Sequence, residues 1–180
     1  MTANKTFSEA GPAPDSGKQP TAKWQSKEGG ARVSFPPPLV FLISIFLGIV
    51  FQRTVKPLTI PIGWQLRVPG GLVFIAAAIC FLVPALVLFK RTGQHPRPWE
   101  PTPELIPNGP YRFSRNPMYV AMTLLVLGLG IALNDLWVSL LAPVALLAVH
   151  FIAVLPEERY LAEKFGESYR GYVGRVRRYF

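Results

Sequence analysis

Cysteine, histidine and acidic residues are scarce in this sequence of 180 residues. The single cysteine, Cys80, excludes an internal disulfide, and the two histidines form no metal-ligand spacing. Charged residues make up 16% of the chain, whereas they make up about a quarter of an ordinary soluble domain. The sequence also lacks a phosphate-binding loop and a nucleophile-and-base pattern. These shortages argue against a disulfide scaffold and a metalloenzyme, and they leave a large apolar content to be placed.

Four long apolar runs account for that content. Each is close to the ~17–25 residues that span a bilayer as a helix, and they cover residues 36–55, 70–89, 118–133 and 136–155. The first run is the weakest, because it carries Gln52 and Arg53 near its end, and the third is short. Only Asn134 and Asp135 separate the last two runs, which predicts an antiparallel helical hairpin. The pattern predicts an all-α fold, a polytopic bundle of about four transmembrane helices.

The net charge of +9 is carried by the connectors and the tails rather than by one soluble face. This distribution does not indicate nucleic-acid binding. Lysine and arginine are concentrated in the N-terminal tail, in the connector before the third run and after residue 155, whereas the turn at 134–135 has neither. The positive-inside rule therefore places both termini, and the connector before the third helix, in the cytoplasm.

The two ends of the chain differ in character. Residues 1–34 are rich in Ala, Gly, Pro, Ser and Lys and have no hydrophobic period, so we expect a disordered tail ahead of a membrane domain at 35–180. After Leu155, apolar side chains recur at steps of four and three, at positions 161, 165, 169, 173 and 176. This period predicts a C-terminal amphipathic helix that lies along the cytoplasmic interface.

The segment GPYRFSRNPMY, residues 109–119, places arginines and tyrosines directly before the third apolar run. Asn116 is a preferred N-cap, and the proline after it suits the first helical position, so a helix is expected to begin there. The free N–H groups at such a helix start bind carboxylates and phosphates, and Arg112 and Arg115 add positive charge. Tyr119 offers a ring to a flat ligand. The alternative is that these side chains are only interfacial anchors.

A second polar group follows the fourth apolar run. Glu157 and Glu158 come directly after Pro156, where the first turn of a helix would stabilise them electrostatically. Carboxylates so close to hydrocarbon usually face a polar cavity or partner, so a cationic or hydroxyl-rich ligand is the functional interpretation. His150, inside the fourth run, is either a functional group or a hydrogen-bonded structural residue. For His95 the sequence identifies no partner.

Gly128 and Gly130 lie in the middle of the third run. Small residues in a membrane helix mostly allow a neighbouring helix to approach closely. The functional alternative is that they allow a ligand to approach the backbone.

Taken in order, GPYRFSRNPMY, the glycine-containing apolar hairpin and EERYLAEKFGESYRGYVGRVRRYF resemble the isoprenylcysteine carboxyl methyltransferase and phospholipid methyltransferase superfamily. The resemblance covers roughly residues 90–180. It implies an integral-membrane methyltransferase that uses S-adenosylmethionine, held between residues 109–119, the hairpin and the paired acids. Asn116 stands where many members have histidine, and its Asn-Pro-Met-Tyr context is similar to the phospholipid N-methyltransferase branch. This departure weakens the case for an isoprenylcysteine substrate.

The chemistry of S-adenosylmethionine agrees with these implied roles. The helix start suits its carboxylate, the paired acids suit its ammonium group or its ribose hydroxyls, and the rings suit its adenine. The glycines would let it approach the third helix. The predicted cofactor-binding residues are therefore Asn116, Tyr119, Gly128, Gly130, Glu157 and Glu158.

Arg112 and Arg115 are the candidate catalytic residues, because either cation would orient an acceptor carboxylate. The acceptor would come from the bilayer, as a lipid-like or small amphiphilic molecule that is methylated at a carboxyl or an amine. Two other classes remain open. One is a sterol-reductase-like NADPH-dependent membrane oxidoreductase, whose C-terminal pattern is related, and the other is a non-enzymatic scaffold whose basic tails bind anionic lipid.

Overall fold

The computed structural model describes residues 30, 31, 33, 35–93, 97, 100 and 102–179. Within these ranges every regular element is a helix and no strand occurs, which confirms the all-α prediction. Nearly all of the tail predicted to be disordered lies outside the described residues, and so does His95.

The described chain forms four long helices and a C-terminal helical region. The long helices are α1 (Pro37–Thr54), α2 (Trp64–Arg91), α3 (Pro117–Leu133) and α4 (Leu136–Val149). A 3₁₀ turn, Gly109–Arg112, precedes α3. After α4 the chain runs through a π-helical turn, His150–Val154, into α5 (Leu155–Phe165) and then α6 (Glu167–Val173).

Three stretches of helix are long and apolar enough to cross a membrane, namely α1, α2 and the continuous helix Leu136–Phe165. α3 has 17 residues, about 25 Å at 1.5 Å per residue, and it is the short span that the sequence predicted. α2 begins at Trp64, six residues before the predicted apolar run at 70–89. Pro69 lies inside the helix without ending it, as membrane helices often allow.

α3 is the central helix, packed against α2 and α4, while α1 packs mainly on α4. Glycines allow the closest of these contacts. A Cβ atom built at Gly71 would lie 2.6 Å from the Gly128 carbonyl oxygen, and one built at Gly128 would lie 2.7 Å from the Gly71 carbonyl oxygen. A Cβ atom at Gly130 would overlap the Ser139 hydroxyl on α4. The glycines of α3 therefore permit backbone-to-backbone packing on both sides.

The turn between α3 and α4 forms the hairpin predicted from Asn134 and Asp135. Asn134 has a φ of 63°, the left-handed conformation that ends many helices. The Asp135 carboxylate accepts a 3.0 Å hydrogen bond from the Val138 N–H. Asn134 also accepts a hydrogen bond from the Ile60 N–H at 2.9 Å, so the connector between α1 and α2 is tied to the same turn.

The helix after this turn is unbroken from Leu136 to Phe165, whereas we expected a separate amphipathic helix after Leu155. One turn widens to the π form, in which the Leu155 N–H donates to the carbonyl oxygen of His150. Pro156 has no N–H, and its ring would clash with a regularly placed carbonyl four residues earlier. A widened turn accommodates it.

The amphipathic pattern of the C-terminal region is used largely inside the protein. Tyr169, Tyr172 and Val176 are buried, and they pack with Phe165 and Leu105. The region is divided at Gly166, whose φ of 52° ends α5 before α6 begins. This arrangement folds α6 back over the connector that precedes α3.

We predict that Gly71→Ala destabilises the bundle by roughly 1–3 kcal/mol, because the added methyl group overpacks the contact with α3. Gly70→Ala is the matched control, since nothing lies within 4 Å of a Cβ atom built at Gly70 and alanine favours a helix more than glycine does. Thermal unfolding of both variants in the same detergent measures the difference. Equal stability of the two variants would contradict the packing described for Gly71.

Candidate functional site

A cavity opens at the start of α3, where α2 ends and where α5 and α6 fold over. The space between its walls is about 910 Å³, a figure that includes its open mouth to solvent. Aromatic and apolar side chains form much of its wall, including Phe89, Leu105, Met118, Leu161, Tyr169 and Tyr172. The connector before α3 and helix α5 both contribute residues to the cavity wall.

Five of the eight predicted site residues line this cavity, namely Arg115, Asn116, Tyr119, Glu157 and Glu158. They come from two segments that are distant in the sequence. Tyr119 and Glu157, for example, are 38 positions apart and are directly hydrogen-bonded. The fold therefore brings together the two polar segments that the sequence had singled out.

The other three predicted residues lie elsewhere. Arg112 is exposed at the end of the 3₁₀ turn and does not line the cavity. Gly128 and Gly130 lie further along α3, in its contacts with α2 and α4. Backbone and side-chain atoms fill the space beside both glycines, which favours the packing interpretation.

Glu157 accepts a 2.5 Å hydrogen bond from the Tyr119 hydroxyl. In the part of the chain that the structure describes, no lysine or arginine forms an ion pair with this carboxylate. It therefore faces the cavity with a neutral donor and without a counterion. A carboxylate in such a setting favours a cationic or hydrogen-bond-donating ligand.

Glu158 has a different environment, although it is the next residue. Arg178 donates from Nε to Oε1 at 2.9 Å and from Nη2 to Oε2 at 2.7 Å, a bidentate pair. Arg115 Nη1 lies 3.1 Å from Oε1. Because successive residues of a helix point about 100° apart, the two acids meet different neighbours. Glu158 thus forms ion pairs with two arginines, whereas Glu157 forms none among the described residues.

The helix dipole does not explain the two acids. The helix is continuous from α4 into α5, so Glu157 and Glu158 do not lie at a free helix N-terminus. The first-turn explanation that the sequence offered is therefore wrong. Direct contacts with Tyr119, Arg115 and Arg178 compensate these carboxylates instead.

α3 begins at Pro117, as predicted, but the Asn116 side chain does not cap it. The Asn116 Nδ2 atom donates to the carbonyl oxygen of Arg178 at 3.1 Å. The Asn116 backbone N–H donates to the Ser114 hydroxyl at 3.2 Å. The amide of Asn116 is thus turned towards a partner that lies 62 positions away in the sequence.

Neutral tyrosines form part of the wall. Burial, followed by the nearby Glu157 carboxylate, raises the pKa of Tyr111 above its ordinary value, and burial raises the pKa of Tyr172 to about 12. The Tyr172 hydroxyl donates to the Tyr111 carbonyl oxygen at 2.7 Å. The Tyr111 ring meets Phe89 edge to face, with ring centroids 5.9 Å apart. At neutral pH these rings contribute hydrogen bonds and apolar surface but no charge.

Sequence reasoning missed the C-terminal residues of the site. Arg178 was counted only as one of the basic residues that set membrane orientation, and the partner of His150 was not identified. In the structure the Tyr179 hydroxyl lies 2.8 Å from His150 Nδ1, so the hydrogen-bonded interpretation of His150 holds. The surplus of arginine near the C-terminus was the available signal, but membrane topology already explained it.

The family described as phospholipid methyltransferase matches residues 66–168, more than half of the chain. The match includes α3 and both acids of the cavity, and it ends before the C-terminal residues that contact Glu158 and Asn116. No curated protein matches the chain. The apolar helices and the matched segment agree with the resemblance found in the sequence. The chain therefore belongs to the phospholipid methyltransferase family, and this membership implies a methyltransferase of the membrane.

Proposed function

We propose that the protein is an S-adenosylmethionine-dependent methyltransferase and that the cavity at the start of α3 binds this cofactor. One observation carries the proposal. The cavity wall combines the Arg115 guanidinium and the Glu157 carboxylate with a lining that is largely aromatic and apolar. An amino acid joined to a nucleoside has the matching chemistry, with a carboxylate, an ammonium group, ribose hydroxyls and a flat base. The family match supports the same conclusion.

Arg115 is the candidate partner for the cofactor carboxylate. Its Nη1 atom pairs with Glu158, whereas its Nε–H is buried without a hydrogen-bond partner among the described residues. A buried donor without a partner costs roughly 1–3 kcal/mol, so the guanidinium has unused capacity at the cavity wall. Asn116 lies beside it. Glu157 is the candidate partner for the ammonium group or the ribose hydroxyls, because it has no counterion.

When bound, S-adenosylmethionine supplies a methyl group on a sulfonium sulfur. Transfer of such a group depends on alignment and on exclusion of water more than on an enzyme nucleophile. Arg115, Asn116 and Glu157 would provide the alignment, and the apolar wall would exclude water. This division of roles fits a sequence in which no nucleophile-and-base pattern was found.

We further propose that the acceptor is lipid-like or a small amphiphile with a carboxyl or an amine group. Phe89, near the end of α2, forms part of the cavity wall, so a membrane helix borders the reaction space directly. If the acceptor is a carboxylate, orienting it is the alternative role for Arg115, in place of binding the cofactor carboxylate. The family name supports a phospholipid as the first acceptor to test.

The cavity and both ends of the chain are proposed to face the cytoplasm. Basic residues crowd the connector before α3 and the C-terminal region, and the turn between α3 and α4 has none. The positive-inside rule assigns the basic side to the cytoplasm.

We predict that Glu157→Gln weakens S-adenosylmethionine binding by about tenfold or more, because a charge-assisted contact is worth well over 1 kcal/mol. Glu167→Gln is the matched control, since Glu167 is exposed on α6 and pairs with Arg170. Calorimetric titration of the folded, detergent-purified protein measures the affinity of both variants.

The same titration distinguishes the alternative classes. Preferential binding of NADPH would favour the oxidoreductase class. Binding of anionic vesicles without binding of either cofactor would favour the scaffold class.

We predict that label from methyl-labelled S-adenosylmethionine enters the lipid extract when the protein is supplied with phospholipid vesicles. Vesicles with an amine-bearing lipid are compared with vesicles with a free fatty acid. Alkali then distinguishes the products, because it hydrolyses a methyl ester and leaves an N-methyl group intact. A protein that binds the cofactor but labels no lipid under any condition would contradict a lipid-like acceptor.

Membrane orientation is tested by cysteine labelling in a Cys80→Ser background. Ile62→Cys places a thiol in the connector between α1 and α2, and Arg175→Cys places one after α6. In intact cells an impermeant maleimide is expected to label position 62 at once and position 175 only after permeabilisation, because the basic side faces the cytoplasm. The reverse labelling pattern would invert the proposed orientation.

A further inference from the structure

The last described residues, 177–179, form a C-terminal strap that lies against the start of α3. The backbone N–H of Arg115 donates to the Arg177 carbonyl oxygen at 3.0 Å. The Ser114 hydroxyl and the Asn116 amide both donate to the Arg178 carbonyl oxygen, at 3.2 and 3.1 Å. Three successive residues of the chain leading into α3 are thus held by two successive carbonyl groups of the strap.

The side chains of the strap hold the other wall of the site. Arg178 binds both oxygens of the Glu158 carboxylate on α5. The Tyr179 hydroxyl lies 2.8 Å from Nδ1 of His150, at the beginning of the π turn. The strap therefore connects the start of α3, the π turn and α5, in addition to the direct Tyr119–Glu157 and Arg115–Glu158 contacts.

The contact between Arg178 and Glu158 also determines which part of the Arg115 guanidinium can bind a ligand. Both arginines approach one carboxylate, whose side chain is 15% exposed. Arg178 takes the bidentate position, so Arg115 approaches Glu158 through Nη1 alone. The Arg115 side chain also interacts with Tyr169, and its Nε–H has no hydrogen-bond partner among the described residues. Without Arg178, Arg115 would be the sole arginine on Glu158. It would then favour the bidentate geometry that guanidinium groups adopt with carboxylates.

We propose that Arg178 is a positioning residue of the ligand site. By occupying both oxygens of Glu158 it leaves the Arg115 guanidinium available to the anionic end of the ligand, and through its carbonyl oxygen it fixes the amide of Asn116. This inference rests on the proposed function. It also extends the site beyond residue 168, where the family match ends.

A double-mutant cycle tests this role with S-adenosylmethionine as the probe, using Arg178→Gln, Glu158→Gln and the double variant. In the wild-type background, Arg178→Gln is expected to weaken binding by about tenfold. In the Glu158→Gln background it is expected to have an effect of about twofold or less, because the carboxylate that would capture Arg115 is gone. A strap with only a structural role would lower the unfolding temperature and would change affinity by the same ratio in both backgrounds.

Two further variants keep the test decisive. Arg178→Lys retains the charge but not the planar fork, so it is expected to fold and to bind about threefold more weakly than wild type. Arg175→Gln is the matched control, because Arg175 is exposed and its side chain donates only to the Gly171 carbonyl oxygen among the described contacts. It is expected to bind like the wild type.

The outcomes separate the two proposals. If both Arg178 variants bind as tightly as the wild type while Glu157→Gln loses binding, the strap inference is wrong and the proposed function stands. If the folded wild-type protein does not bind S-adenosylmethionine, the proposed function fails, and the strap inference fails with it.

Discussion

The carboxylate of Glu158 is the point at which three distant parts of the chain are held together. Arg115 reaches it from the start of α3, Arg178 reaches it from the C-terminal strap, and Glu158 itself lies on α5. An ionised group beside hydrocarbon is costly unless it is paired and hydrogen-bonded. Removing both arginines would leave the partly buried Glu158 charge uncompensated. The position of α5 relative to α3, and therefore the shape of the cavity, depends on this cluster.

The π turn sets the direction in which the two acids point. A π turn contains one residue more than an α turn, so every residue after it is rotated relative to the packed face of α4. That packed face includes Val138, Ala142, Ala145 and Val149, all buried in the core. Pro156 follows this turn directly, and its missing N–H and its ring are compatible with the widened turn.

The sequence predicted the helices better than it predicted their contacts. Apolar runs are reliable because a helix in lipid must satisfy its own backbone, and Asn-Pro marked the start of α3 because its signal is local. The role of Gly128 was not decidable, since a small residue serves helix packing and ligand approach equally well. The partner of Asn116 could not be predicted, for another reason. Arg178 lies 62 positions away, and no periodicity connects the two segments.

The cavity exists because the central helix is also a short one. α3 has 17 residues, whereas α2 has 28 and the helix Leu136–Phe165 has 30. At 1.5 Å per residue the neighbours are longer by roughly 15–20 Å. Where α3 begins, they continue beyond it and leave a recess at its N-terminal end. Arg115 lines that recess from the segment just before α3, and Glu157 lines it from the longer helix. A difference in helix length therefore creates, at the edge of an apolar bundle, a recess with both signs of charge.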